Sequence, residues 1–390
     1  MTARYDVVVV GGRVAGAATA LQLARRGIQV LVLDRGSYGS DTVSTHALMR
    51  TGVVQLNRWG LRDRLVSAGV PPVRTTVFHH LTGDMHITLR PAAGVDALYA
   101  PRRTTLDAML VDAAVEAGAE VRHGMRVTGL LRDSHGRVNG VHTEDRAGSR
   151  SEFAARFTVG ADGVRSAVAG WVGAPVDRQG RTASGVVYGY LADLPTDGYE
   201  WFYGHRASAG FIPTEDNLVC VFAATSAQRF RELPGTAADR FAALLADASP
   251  AAADRVAHAR PASRLRGFAG VPGFLRRAGG SGWALVGDAG YFKDPLSTHG
   301  MSDGLRDAEL LAIALAETLA GRLPEAAAVA GFQRQRDRLS AALFDATERV
   351  AAHDWTEDEL RRRLRELSAA MSDEIDTLLA LDQGSAAAVA

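Results

Sequence analysis

The sequence predicts an α/β protein with a parallel nucleotide-binding sheet, an all-β region inserted into it, and a helical C-terminus. Three observations carry this. Tyr5 to Val10 is a continuous apolar run, as in a strand buried on both faces, and leads into Gly11-Gly12-Arg13-Val14-Ala15-Gly16. Apolar runs also precede two later turns of acid and glycine, Gly160-Ala161-Asp162-Gly163 and Gly287-Asp288-Ala289-Gly290. Between these turns, Ala183 to Ala224 is dense in aromatic and β-branched residues.

Taken in order, Ala17 to Arg26 reads as an alanine-rich helix closed by Gly27. Gln29 to Leu33 reads as a second strand ending at Asp34. Asp34 follows Gly16 by 18 residues, the spacing of a Rossmann dinucleotide fingerprint. Such a turn places a pyrophosphate on the helix N-terminus and offers Asp34 to an adenosine ribose. The fingerprint has glycine where this chain has Arg13. A side chain there crowds the pyrophosphate, although a guanidinium also neutralises phosphate charge.

Ser40 to His46 is polar and precedes a helix-like run, Leu48 to Trp59. Pro71 to Leu89 alternates and reads as strands. His79 and His80 are adjacent, so in a strand they face opposite ways and make a poor metal pair. No His-x-x-x-His or carboxylate cluster in the sequence supports a metal site. Arg102-Arg103-Thr104-Thr105-Leu106 opens a helix with Leu106, Leu110, Ala113 and Ala114 on its apolar stripe. Glu120 to Val127, Val138 to Glu144 and Phe157 to Gly160 read as strands, the last running through an Asp-Gly turn into a helix start.

In the inserted region, turn signals at Pro195 to Gly198 and Glu215 to Asn217 separate the strands of a β-meander. Period-two alternation puts Tyr188 and Tyr190 on one face of a strand, and Trp201 and Tyr203 on one face of the next. With Phe211 they are candidate substrate-wall residues. Thr236 to Val256 reads as one or two helices broken at Pro250. Trp283 to Val286 is a strand and Leu305 to Leu319 a helix. The stretch between them is an acidic turn, a loop and a helix start. Asp288 can accept a hydrogen bond from a ribitol or ribose hydroxyl. The loop contains Pro295 and ends at Gly300, where the N–H groups of Gly300, Met301 and Ser302 can face a ligand closely. Val329 to Leu379 reads as helical with a charged turn at Asp354 to Arg363, and Gly384 to Ala390 as a frayed tail.

Composition sets limits. The 390 residues allow two or three modules. Lys+Arg and Asp+Glu are 44 each, so no basic excess points to nucleic acid or an anionic membrane. A single cysteine, Cys220, excludes a disulfide framework and a thiolate metal cluster. Met1 to Tyr5 carries no signal peptide, and the longest apolar run, Leu310 to Leu319, is broken by Glu317. A cytoplasmic protein without stable membrane insertion is expected. Lys293 is the only lysine.

The three motifs lie in one order from Gly11 to Gly300, and they resemble those of the FAD-dependent monooxygenases related to p-hydroxybenzoate hydroxylase. That family reads Gly-Asp-Ala, then Pro, then a Gly opening a helix beside the isoalloxazine ring. The matching residues are Gly287, Asp288, Ala289, Pro295 and Gly300. The resemblance implies a discontinuous Rossmann-like FAD-binding domain (1–75, 98–178 and 265–335), a β-sheet substrate domain (76–97 and 179–264) and a C-terminal helical segment (336–390). It implies cofactor contacts from Gly11, Gly12, Arg13, Ala15, Gly16, Asp34 and Arg35, and from Ser44 and Thr45 in a loop over the flavin. Arg103, Asp162, Gly287, Asp288, Pro295, Gly300, Met301 and Ser302 complete that set. Asp162 would serve both FAD and the nicotinamide donor. Pro295, His299 and His46 would stand near the reacting ring.

The resemblance further implies a reaction. NADPH or NADH reduces FAD, oxygen adds to the reduced ring, and the flavin hydroperoxide hydroxylates a small electron-rich, aromatic substrate. A separate flavin reductase is the alternative source of electrons. The cofactor carries the hard chemistry, so no metal is expected. Two other classes share this architecture. The geranylgeranyl reductase-like flavoproteins reduce C=C bonds, and Gly210-Phe211-Ile212-Pro213 is similar to their aromatic-x-Phe-Pro stretch. The flavin-dependent halogenases use an early lysine and a Trp-x-Trp-x-Ile-Pro segment, and this chain has neither. Against a non-enzymatic flavin-binding protein stand the aromatic sheet and the nearly complete set of flavin motifs.

Overall fold

The computed structural model describes residues 5–80 and 82–387, with side chains through Leu381. The chain runs β1 (Tyr5–Val10), α1 (Val14–Ala24), β2 (Val30–Asp34), α2 (Arg50–Arg58), α3 (Arg62–Ser67), β3 (Thr75–His80), β4 (Gly83–Thr88) and α4 (Arg103–Glu116). Next come β5 (Glu120–His123), β6 (Arg126–Arg132), β7 (Val138–Glu144), β8 (Arg150–Gly160), α5 (Ala167–Trp171) and β9 (Val176–Gln179). The inserted region holds β10 (Ser184–Ala192), β11 (Tyr199–Gly204), β12 (Ala207–Pro213), β13 (Val219–Ser226), α6 (Ala227–Glu232), α7 (Ala237–Ala248) and α8 (Pro250–Ala257). Short strands follow: β14 (Arg260–Pro261), β15 (Arg266–Phe268), β16 (Phe274–Arg276), β17 (Gly279–Gly280), β18 (Trp283–Leu285) and β19 (Tyr291–Phe292). Three long helices end the chain: α9 (Gly300–Leu319), α10 (Glu325–Ala351) and α11 (Glu357–Ala387).

The first sheet has the order β17-β18-β8-β1-β2-β5, parallel from β18 to β5, with β7 and β6 added antiparallel beyond β8. The apolar runs read from the sequence are its central strands, buried on both faces. Val7 and Val9 pack against α1, α4 and α9. Val8 and Val10 pack against Val141, Phe153 and Val168 on the other face. The carboxyl ends of β1, β2, β8 and β18 therefore bring Gly11, Asp34, Asp162 and Asp288 to one edge, where open α/β sheets bind ligands.

The second sheet has the order β14-β10-β13-β12-β11-β3-β4, with β15 also on β10. The expected meander holds for β11, β12 and β13. β10 instead pairs with β13, and β11 pairs in parallel with β3, so the β10–β11 connection crosses the sheet. One face lies under α6 and α7, with Phe202 and Phe211 of the sheet in the same cluster as Phe230 of α6. The opposite face holds Tyr188, Tyr190, Tyr199, Trp201 and Phe222, and Leu296 packs against it.

Phe211 is the clear correction among the expected wall residues. It alternates with Ile212 and so points into the helix-covered face, with the Phe202 ring 4.7 Å away and the Arg255 guanidinium 4.8 Å over it. The strand expected over Glu120 to Val127 breaks at Gly124, whose φ is +72° and whose N–H turns back to Gly36 O. Helix α1 starts at Val14 rather than Ala17, so half of the glycine-rich turn is its first turn. Helix α11 runs through Ala387 where a frayed tail was expected, and 388–390, like Met1 to Arg4, lie outside the described residues. No helix of the described residues is long and apolar enough to cross a membrane.

Candidate cofactor and substrate site

The first motif is shaped by close backbone contact. A Cβ at Gly16 would sit 1.8 Å from Gly11 O, so only glycine lets the first turn of α1 fold back over the end of β1. Asp34 holds two turns together, accepting from Gly12 N and Gly36 N at 2.6 Å each. Arg13, the departure from the fingerprint, donates to Asp107 Oδ2 at 3.0 Å and Ser40 O at 2.9 Å, so its charge is already paired. Asp107 also accepts from Arg103 at 2.9 and 3.0 Å and thereby links α1 to the start of α4. Gly12, Arg13, Asp34, Ser40, Asp107 and His123 line a shallow groove. Both ring nitrogens of His123 are buried without a partner among the described residues. Asp107 and His123 escaped the sequence reading. The only available signal for His123 was its place at the end of the strand beside β2.

Two expected cofactor residues sit differently. Arg35 is exposed on the surface beyond Asp34. Asp162 caps α5, accepting from Ser166 Oγ at 2.5 Å, Ala167 N at 2.7 Å and Val168 N at 3.2 Å. Its carboxylate is thus engaged by its own helix. The neighbouring backbone packs on the first motif instead, since a Cβ at Gly11 would lie 2.5 Å from Ala161 O.

The last motif is built against the first. The Ala15 Cβ fills the space left by the missing side chains of Gly287 and Gly304, at 2.8 and 3.2 Å from where their Cβ atoms would be. Asp288 is half-buried, and its carboxylate has no hydrogen bond or ion pair among the described residues. Burial pushes its pKa up to about 6, with the charges of Lys293 and Arg103 opposing the rise. Gly300 is exposed at the start of α9, next to that carboxylate. The first-turn N–H groups of α9, at Gly300, Met301 and Ser302, have no intrahelical acceptor. Pro295 is set in place by Asp294, which accepts from Leu296 N at 3.0 Å and from Ser184 N of the second sheet at 2.5 Å.

His299 is turned away from this opening. It is fully buried, and its Nε2 pairs with Glu374 Oε2 of α11 at 2.5 Å. It belongs to a buried charged group with Lys293, Asp303, Arg306, Asp307 and Glu374, so the structure does not bring it to the face expected for a reacting residue. Donor atoms of His299, Asp303 and Glu374 lie within 4.8 Å of one another. Lys293 and Arg306 already neutralise those carboxylates, so the group is filled by side-chain cations rather than shaped for a metal.

His46 instead joins the candidate substrate wall. Its Nε2 pairs with the Tyr190 hydroxyl and the two rings stack, with centroids 5.5 Å apart. Ser44 N donates to the Tyr188 hydroxyl at 3.2 Å, and Ser44 Oγ accepts from His46 N at 3.1 Å. Thr45 is half-buried in the same turn, and its carbonyl accepts from Ala47 N at 2.9 Å. The Arg102 guanidinium lies 5.0 Å over the Tyr190 ring. Burial, with Arg103, Arg102 and Arg266, pushes the His46 pKa down to about 3, so the imidazole is neutral. Its Nδ1 is buried without a partner among the described residues. Trp201 and Tyr203 continue this face, Trp201 against Phe222 and Tyr203 against His80.

These features fit FAD. The groove at Asp34 has the polar lining that an adenosine ribose needs, and it lies beside the N-terminus of α1, where a pyrophosphate can be held. Asp288 has acceptor capacity that no group among the described residues uses, and Gly300 leaves open space before a second helix start.

Comparison with known proteins agrees. The profile of a family described as FAD binding domain matches residues 4–347. The menaquinone reductase of Mycolicibacterium smegmatis is 29% identical over 330 residues, 80% of this chain and 76% of that protein. The flavin-dependent brominase Bmp2 superposes with a TM-score of 0.79 at 18% identity, over 97% of this chain and 99% of that one. Pseudomonas aeruginosa PqsL in complex with 2-aminobenzoylacetate gives 0.75 at 21% identity, over 94% and 99%. At these identities the solved structures establish the fold alone.

Proposed function

The chain belongs to the FAD-binding domain family and is an FAD-dependent oxidoreductase, and from that premise we infer that it is a monooxygenase of a small, electron-rich aromatic compound. Bound FAD would supply the redox chemistry, taking electrons from NADH or NADPH and passing them to oxygen. The observation that carries the reading is the His46–Tyr190 pair, set on the sheet face against which Leu296 of the flavin loop packs. That face is aromatic but not purely apolar. In this reading the Tyr188 and Tyr190 hydroxyls and His46 Nδ1, which has no partner among the described residues, would give directional hydrogen bonds to a ring substituent, which suits a phenol, aminoaromatic or indole better than an isoprenoid chain.

Each residue has a defined task in this reading. The start of α1 takes the pyrophosphate and Asp34 a ribose hydroxyl. Asp288 accepts from the ribityl chain. The N–H groups at the start of α9 would face negative charge on the bound cofactor. Neutral His46 fixes the direction of the Tyr190 hydroxyl without adding charge. Trp201, Tyr203 and the Pro295–Leu296 corner exclude water.

The menaquinone reductase likeness favours a second reading, reduction of a quinone or of a C=C bond. The need for oxygen separates the two. The monooxygenase turns over a phenol or indole with NAD(P)H only in air. Equal turnover without oxygen would replace that reading with the reductase.

A further inference from the structure

We propose that the C-terminal helix α11 is part of the cofactor site, with Glu374 as a positioning residue that aims the start of α9 through His299. The proposal rests on the reading that this helix start faces FAD. The segment from Gly287 to Gly300 carries both Asp288 and the α9 start, and one chain of hydrogen bonds holds both of its ends. At the first end, Gly287 N donates to Asp307 Oδ2 at 3.2 Å. Arg306 Nη2 donates to Asp307 Oδ1 at 2.8 Å, and Arg306 Nη1 donates to Glu374 Oε1 at 2.8 Å. Glu374 Oε2 then pairs with His299, the residue directly before Gly300, at 2.5 Å. Midway, Lys293 pairs with Asp303, which also accepts from Arg306 at 3.1 Å. Ser340 Oγ of α10 accepts from Arg306 Nη2 at 3.1 Å.

All the charged members are at most 5% exposed. Buried charged hydrogen bonds are directional and costly to break, so the chain resists rotation of the segment it closes. No side-chain cap of its own fixes the start of α9. Its direction is therefore set from below, and the carboxylate that closes the chain comes from α11. That helix begins at Glu357, beyond residue 347 where the family profile ends.

The test is Glu374→Gln in the full-length protein loaded with FAD. The readouts are the flavin midpoint potential, the FAD Kd and thermal stability, with the exposed Glu366→Gln on the same helix as control. Misaimed N–H donors stabilise the reduced flavin less, so the potential should move to more negative values. FAD binding should weaken by about tenfold, the scale of one hydrogen bond to a charged group. Simple removal of a negative charge would move the potential the other way, and a merely structural role would lower stability without moving it. His299→Gln, which disturbs the same pair from the other side, should act in the same direction and replaces Glu374→Gln if that variant does not fold. A potential that rises or stays put in the folded variant overturns the proposal. Gly300→Val is measured in parallel. If it alone shifts the flavin, only the role of α11 fails; if it too is silent, the placement of FAD at α9 fails.

Discussion

Asp288 Oδ1 lies 3.7 Å from the point where a Cβ on Gly300 would sit, and no other atom outside the helix and the chain neighbours comes within 4 Å of that point. An acid without a partner among the described residues thus faces a helix start with open space before it. The pKa of Asp288 stands at about 6, above the usual carboxylate value, because of burial. Its ionised form, the better acceptor for a ribityl hydroxyl, is therefore lost as pH falls through about 6. FAD affinity should decline between pH 7 and 5. Asp288→Asn should weaken binding by about 1–3 kcal/mol at pH 7.5 and flatten that decline. Fluorescence titration across this range checks it; a variant with the wild-type slope would reassign the pH dependence.

Gly16→Ala should abolish FAD binding. The added Cβ would meet Gly11 O at 1.8 Å, so the end of β1 and the start of α1 cannot keep their contact. β1 and α1 both sit in the core of the first sheet, so circular dichroism must show a native fold before flavin loss is read as loss of the site. Purification without flavin and with native circular dichroism is the expected outcome; a yellow, stoichiometric holoprotein would exclude this turn from the site.

Acid stability should depend on His46. Its folded-state pKa, about 3, lies below the ordinary 6.5, so its contribution is complete above pH 6.5 and is lost as pH falls toward 3. In that window the unfolded chain binds the proton and the folded one does not, a slope of up to about 1.4 kcal/mol per pH unit. His353 behaves alike. His46→Gln should lose about 2 kcal/mol less than wild type between pH 6.5 and 4.5. Urea titrations at each pH measure this; parallel curves would show that His46 is protonated when folded.

Halogenation should not occur, even though the fold matches that of a brominase. The only lysine, Lys293, is buried, paired with Asp303, and stacked 4.8 Å over the Tyr291 ring. Its amine is committed to the buried charge group beneath the loop from Gly287 to Gly300 rather than to the sheet face. Reduced FAD, oxygen and bromide should give no bromoarene above a peroxide control. Enzyme-dependent bromination would show that another group carries the halogen.

The parts legible in the sequence were those with local causes. Gly11, Gly16, Asp34, Asp288 and Gly300 are set by strand ends and helix starts a few residues away. Alternation put Tyr188 and Tyr190 on one face, where the structure has them. It could not say which face the helices cover, and so Phe211 was misplaced. The remaining losses are pairings between distant side chains. His46 meets Tyr190 across 144 residues, Asp107 meets Arg13 across 94, and His299 meets Glu374 across 75. No period or spacing encodes such contacts. For His299, the proximity to Gly300 in sequence suggested a place at the ring, whereas its side chain points to the opposite side of the helix start.

The most direct measurement is the fate of labelled dioxygen. The FAD-loaded protein is turned over with NAD(P)H under oxygen-18 with a panel of phenols, indoles and polyprenols, and products are read by mass spectrometry. The account predicts an aromatic product carrying one labelled oxygen atom, with yield reduced in Tyr190→Phe. A product that gains two hydrogens and no label, from a quinone or a polyprenol, would contradict it.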